Sequence, residues 1–123
     1  MASTTDNETI LRTVLDDWKA AFDAHNPQQA AALFTDDAIF QGLHPYTVGP
    51  QGVADYYASL PLGMTATYRI LETRRPADSL ILGYLSIDFT FIDRPTLTVN
   101  LCVLIQPAPG GAKISHYQVS RLD

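Results

Sequence analysis

Three histidines, one cysteine and a few strand-borne polar residues are the groups here that could do chemistry near neutral pH. His116 comes first among them. It sits in the last extended segment, Ile114-Ser115-His116-Tyr117-Gln118-Val119, and an imidazole there suits general acid or base work. The competing reading is a histidine hydrogen-bonded within a wall. Asp88 is the matching carboxylate: an orienter of His116, a buried acid with raised pKa, or a solvated strand residue. Cys102 lies mid-strand with no helix N-terminus or basic cluster to lower its pKa, so nucleophilic catalysis is not expected of it. His25 and His44 fall in connecting segments remote from His116, a spacing that does not suggest a metal site. No glycine-rich dinucleotide fingerprint is present, and no cofactor is expected.

A second group surrounds the segment Gly42 to Gly49. Gln41, His44 and Tyr46 read either as a polar pocket rim or as turn chemistry around Pro45. Tyr56 and Tyr57 are adjacent and point differently, so one of them, Tyr57, is a candidate for a cavity wall. Trp18 and Phe22 share a helical stripe and read as core, as ligand platform, or as both.

The whole chain bounds what these residues can serve. At 123 residues, 46% hydrophobic and 17% charged, it fits one globular domain spanning 1–123. A net charge of −5 argues against nucleic acid, which needs clustered Lys and Arg. Arg69, Arg74, Arg75, Arg94 and Arg121 are scattered apart from one adjacent pair. Met1 to Asp6 lacks the basic region and apolar run of a signal peptide, and no apolar stretch approaches the roughly 20 residues of a membrane span. One cysteine permits no internal disulfide. A cytoplasmic protein without nucleic-acid or membrane partners is expected.

The positioning elements follow from periodicity. Thr5-x-x-Glu8 has capping-box spacing, and Leu11, Val14, Leu15, Trp18, Ala21 and Phe22 form one helical stripe behind it. Asn26 caps a short second helix with Pro27 in its first turn, running to about Phe34. Asp36-Asp37 reads as a turn and Ala38–Gln41 as a short strand. Pro50 opens a third helix through Val53, Tyr56, Tyr57 and Leu60, closed by Pro61. Strands are then predicted at Thr65–Arg74, Leu80–Ile92, Thr96–Gln106 and Lys113–Arg121, an α+β layout with helices first.

Alternation along the last strands divides their side chains into two sets. A three-residue turn at Asp93-Arg94-Pro95 sets Asp88 opposite Asn100 and Ser86 opposite Cys102, and pairing Gln106 with Ala112 brings His116 beside Cys102 and Gln118 beside Asn100. One face carries Ser86, Asp88, Asn100, Cys102, His116 and Gln118. The other carries Ile87, Phe89, Val99, Leu101, Val103, Tyr117 and Val119. Alternation alone puts the apolar face under the helices; the cysteine in the polar set pulls the other way, since free Cys is usually buried.

Trp18-Lys19-Ala20-Ala21-Phe22-Asp23-Ala24-His25-Asn26, then Ala32-Leu33-Phe34-Thr35-Asp36-Asp37-Ala38-Ile39-Phe40, and finally Ile114 to Arg121 resemble the nuclear transport factor 2-like superfamily. Within it they are similar to the SnoaL-like and ketosteroid isomerase-like branch of small bacterial proteins. The resemblance implies a cone-shaped roll of three helices on a strongly curved, mainly antiparallel (cystatin-like) sheet with an apolar cavity. It also implies that the mixed face is inside, with Trp18, Phe40, Asn100, Cys102 and His116 near the cavity, and that the aliphatic face meets a second copy in a homodimer. The ketosteroid isomerase trio of Tyr, Asp base and protonated Asp falls on Trp18, Gly42 and Cys102, so that mechanism is not expected. Polyketide cyclases of this scaffold use a pocket acid/base, which His116 with Asp88 resembles.

Three functions stay open on this reading. The first is a SnoaL-like pocket protein for a small hydrophobic molecule, contacted by Trp18, Phe22, Phe40, Gln41, His44, Tyr46, Tyr57, Asn100, Cys102 and Gln118. The second is a cofactor-independent isomerase, cyclase or dehydratase using His116. The third is a dimerising interaction module with a vestigial pocket.

Overall fold

The computed structural model describes residues 4–108 and 110–122, with side chains from Asp6 onward. Helix α1 spans Thr4–Asp23; the capping box expected at Thr5 lies outside the described side chains. Its stripe is fully used: Leu11, Val14, Leu15, Trp18, Ala21 and Phe22 are all buried. His25 in the left-handed region (φ 51°) turns the chain out of the helix. Asn26 then caps α2 (Pro27–Ala31), its side-chain oxygen accepting the Gln29 N–H at 3.1 Å, with Pro27 in the first turn.

Helix α2 ends earlier than its pattern suggested because β1 begins at Phe34 and runs to Gln41. Asp36-Asp37 is therefore not a turn between elements. The two aspartates point to solvent inside the strand, where pairing with the last strand shifts register between Phe34 and Ile39. A short β2 (Thr47–Val48), unforeseen in the Pro45 loop, pairs antiparallel with Ile39 and Phe40. Gly49 (φ 92°) makes the left-handed step into α3 (Pro50–Ala58). Four long strands follow: β3 (Thr65–Ala77), β4 (Leu80–Thr90), β5 (Leu97–Ala108) and β6 (Gly111–Arg121).

All six strands form one sheet in the order β2-β1-β6-β5-β4-β3, antiparallel except for the β1–β6 pair. The parity of the β4–β5 pairing is as expected but its offset is not. Asp88 lies opposite Thr98, Ser86 opposite Asn100 and Tyr84 opposite Cys102. The connection is wider than a three-residue turn, which slides the strands by one same-face step. At the β5–β6 hairpin, Gln106 pairs with Lys113, and an irregularity at Leu104/Ile105 leaves His116 opposite Leu104 and Gln118 opposite Cys102.

The faces correct the expectation taken from the resemblance. Leu85, Ile87, Val99, Leu101 and Val103 are each 0% exposed beneath the helices, joined there by Phe89, Tyr117 and Val119. Ser86, Asp88, Asn100, Cys102, His116 and Gln118 face outward. Burying each large aliphatic side chain is worth about 1.5–3 kcal/mol, whereas burying Asp88 unpaired would cost several. Both terms favour alternation's own answer. The aliphatic face is thus consumed inside the single chain and is not offered to a second copy.

The sheet's β3 edge is tied to the end of α1. Asp23 Oδ1 accepts the Ala66 N–H at 2.9 Å, and Lys19 Nζ donates both to Asp23 Oδ2 and to the Ala66 carbonyl oxygen, at 2.6 Å each. An edge strand's unpaired backbone groups invite other strands; here two side chains occupy a pair of them. Among the described residues no helix is long and apolar enough to cross a membrane. Asp23→Ala is expected to cost about 1–3 kcal/mol by leaving the Ala66 N–H unpaired, read as a lower urea midpoint with unchanged slope. A loss no larger than that of an exposed Asp55→Ala control would contradict this account.

Candidate functional site

The end of the sheet nearest the α1 C-terminus opens into a cavity of about 380 Å³. Each wall follows from a local feature of the chain. Phe22 comes from the last turn of α1, and Tyr56 and Tyr57 from α3. Phe89 comes from the end of β4 and Phe91 from just beyond it, Leu97 from the start of β5, and Tyr117 and Val119 from β6. The α3–β3 connection adds Leu60, Pro61 and Met64, the β1–β2 loop adds Gly42, Leu43 and His44, and the β4–β5 connection adds Arg94 and Pro95. Leu43, His44, Arg94 and Pro95 are exposed and mark the mouth; Phe22, Tyr57, Phe89 and Tyr117 are buried and mark the floor.

The floor is held by a buried polar chain. Trp18, 0% exposed, donates its indole N–H to Tyr57 Oη at 2.9 Å. The Tyr57 and Tyr117 hydroxyls are close enough that each acts on the other's ionisation. An indole nitrogen only donates, and each phenol has one proton and two lone pairs. Tyr57 Oη receives the indole proton, and the two hydroxyls can pass at most one proton between them, so at least one phenolic proton has no acceptor among the described residues. Both tyrosines line the cavity. Burial, the main cause in each case, pushes both hydroxyls well above the ordinary tyrosine pKa, so they act as neutral donors and not as bases.

Behind this floor, Phe40 stacks on Tyr117 with ring centroids 4.7 Å apart and meets Tyr56 and Tyr57 edge-on. Trp18 and Phe40 therefore form a supporting layer and do not line the cavity. Tyr56 accepts the Leu43 N–H at 3.1 Å, and its ring fills the space where a side chain at residue 42 would project. A Cβ on Gly42 would lie 2.5 Å from that phenol. His44 packs edge-on to the Tyr56 ring at 5.4 Å.

Of the residues singled out from sequence, Phe22, His44 and Tyr57 line the cavity. The others lie elsewhere, for reasons of parity or exposure. Gln41 pairs with Gln118 on the outer face. Tyr46 is 64% exposed and outside the cavity wall. Asn100 donates to Tyr84 Oη at 2.9 Å, and Thr98 donates to Asp88 Oδ1 at 2.6 Å. His116 Nε2 sits 3.3 Å from Gln118 Oε1. Asp88 cannot orient His116. Their β5 partners, Thr98 and Leu104, are six residues apart, on the order of 20 Å along the strand.

Cys102 is half-buried on the outer face, where burial pushes its thiol pKa up and keeps it protonated. Leu101 and Val103 take the inward positions of β5, so Cys102 lies outside the cavity that the resemblance implies for it. Among the described residues no three His, Cys, Asp or Glu side chains converge as metal ligands. Tyr56, Tyr117, Phe89, Phe91 and Arg94 were missed as cavity residues. The odd parity of Phe89, Phe91 and Tyr117 was the signal that could have found them.

No family model matches the sequence, and no curated protein is similar enough in sequence to count as a relative. Solved structures match closely in shape. A domain of unknown function with a cystatin-like fold from Nostoc punctiforme superposes with a TM-score of 0.81 at 16% identity, over 97% of this chain and 79% of that one. A ketosteroid isomerase-like protein from Erwinia carotovora atroseptica gives 0.78 at 17% identity over 94% and 95%. An NTF-2-like protein of unknown function from Shewanella oneidensis gives 0.77 at 13% identity over 96% and 99%. The chain thus has the cystatin-like, nuclear transport factor 2-like α+β fold.

The two floor tyrosines make a pH prediction. Their folded pKa values are raised, so their contribution to stability is complete below the unfolded value near 10 and is lost as pH rises above it. Each should subtract about 1.4 kcal/mol per pH unit there. Tyr68, raised to about 12 by burial and its bond to Asp16, acts in the same direction. Urea midpoints should fall steeply between pH 10 and 11.5, and a midpoint as high at pH 11 as at pH 9 would contradict the buried, neutral phenols.

Proposed function

We propose that this chain binds a small, flat, largely hydrophobic molecule in the SnoaL-like manner, with its ring system between the aromatic walls. The observation carrying this is the cavity itself. Its volume of about 380 Å³ lies within the range of small-ligand sites, and six aromatic side chains line it beside a few convergent polar groups. The spare phenolic proton at the floor suits a carbonyl or hydroxyl oxygen of the ligand. A vestigial pocket, the interaction-module reading, sits poorly with a space of this size.

An acid/base enzyme is the second reading, and it moves from His116 to His44. His44 is the imidazole that lines the cavity, while His116 is on the opposite side of the sheet. The ketosteroid isomerase mechanism has no support, since Trp18 and Gly42 carry neither its phenol nor its base.

The test is calorimetric titration with 2-naphthol, a neutral ring with one hydroxyl. Binding in the micromolar-to-millimolar range is expected. Leu97→Trp, which fills the cavity from its rim, should abolish binding without lowering the melting temperature, and His116→Ala should leave the affinity unchanged. Binding that survives Leu97→Trp, or is lost in His116→Ala, would move the ligand to the outer face.

A homodimer through the outer sheet face stands as a separate proposal on different residues from those first expected. Ile39, His116, Leu104 and Leu82 form one cross-strand row there, next to Tyr84 and Cys102. Ile39 remains 45% exposed in the single chain, and the apolar row ends at β3, where Arg74 is the partner of Leu82. Light scattering at micromolar concentration should give twice the 13.5 kDa chain mass, and Leu104→Glu should halve it. A monomeric mass for the unaltered chain would refute the proposal.

A further inference from the structure

The cavity is apolar inside, but its mouth is not electrically neutral. Arg94 and His44 line it, while no Asp or Glu does, although the chain as a whole carries a net charge of −5. A cation placed against that background calls for an explanation beyond chance, and its packing supplies one. The Arg94 guanidinium lies over the Phe91 ring, 5.0 Å from its centroid. It is thereby laid along the cavity's aromatic wall instead of extending freely into water.

Its hydrogen bonding is incomplete. Arg94 Nε donates to Asp93 Oδ1 at 3.2 Å, and among the described residues the two terminal nitrogens have no partner. Those nitrogens are one side of the planar fork that matches a carboxylate with two parallel bonds. The Asp93 contact links adjacent residues, both more than half exposed. Such pairs contribute little, so Asp93 competes only weakly for the guanidinium.

We infer that the molecule held in this cavity is an aromatic or alicyclic carboxylate, with its ring between the aromatic walls and its anionic end paired to Arg94 at the mouth. This rests on the ligand-binding reading above and sharpens it to a chemical class. The two ends of the ligand then meet opposite environments. The ring enters the dry floor of Phe22, Tyr57 and Tyr117, and the charge stays at the solvated rim, where it avoids the desolvation cost of a buried anion. Deep burial of the carboxylate would forfeit that advantage.

Two isosteric probes test this: 2-naphthoate and the neutral naphthalene-2-carboxamide, titrated calorimetrically at pH 7.5 and low salt. The carboxylate should bind about tenfold more tightly, the scale of a charged hydrogen-bonded pair that is partly screened. Arg94→Gln should remove that preference while leaving carboxamide affinity unchanged, and Arg94→Lys should retain part of it. Asp93→Asn should raise carboxylate affinity by no more than about twofold, since the exposed pair it removes is weak. Equal affinity for both probes, or an Arg94→Gln variant that weakens both alike, would overturn the anionic class and leave the pocket reading standing. If neither probe binds, the pocket reading falls and this inference with it.

Discussion

The structure depends on a single physical demand: one face of the sheet cannot be left in water. Alternation along β4, β5 and β6 collects Leu85, Ile87, Val99, Leu101 and Val103 on one side, and all five are completely buried. The stripe on α1 is the complementary surface, and Trp18, Leu11 and Leu15 reach the same complete burial. With the helices committed to that side, the polar set has no choice of environment. On the outer face Asp88 pairs with Thr98, Asn100 with Tyr84 and His116 with Gln118.

The cavity is a by-product of how that cover ends. Helix α1 stops at Asp23, where Lys19 and Asp23 clasp Ala66, while β4 and β6 continue beyond it. Past this point aliphatic packing gives way to aromatic rings, which are large enough to wall a space without filling it. The buried indole of Trp18 needs an acceptor, and Tyr57 provides it from α3. One hydrogen bond thus joins the helix that covers the sheet to the helix that closes the cavity.

Much of the scaffold could be read from residue order. The helical stripe, the Asn26-Pro27 start and the four long strands are local patterns, and side-chain parity fixed which residues share a face. Parity could not give strand offset, because the width of the connection after Phe91 and the irregularity at Leu104/Ile105 depend on closure of the whole sheet. The site was less legible. His116 and Asp88 drew attention for their reactivity, yet alternation already placed them opposite the apolar set, and only the family likeness turned them inward. Tyr117 and Phe89 were seen as apolar-face residues but not as cavity walls, since nothing local shows where a core ends and a cavity begins.

Gly42 carries a consequence for the history and the engineering of this site. The ring of Tyr56 occupies the volume into which any side chain at residue 42 would grow, and its hydroxyl receives the amide of residue 43. Installing an acid at position 42 is therefore not a one-step change. It would push the far end of the Tyr56 side chain aside, take the acceptor from the Leu43 amide and shift the ring that His44 packs against. Positions 42 and 56 form a latch between alternatives, and a search for catalysis on this scaffold would have to change both together.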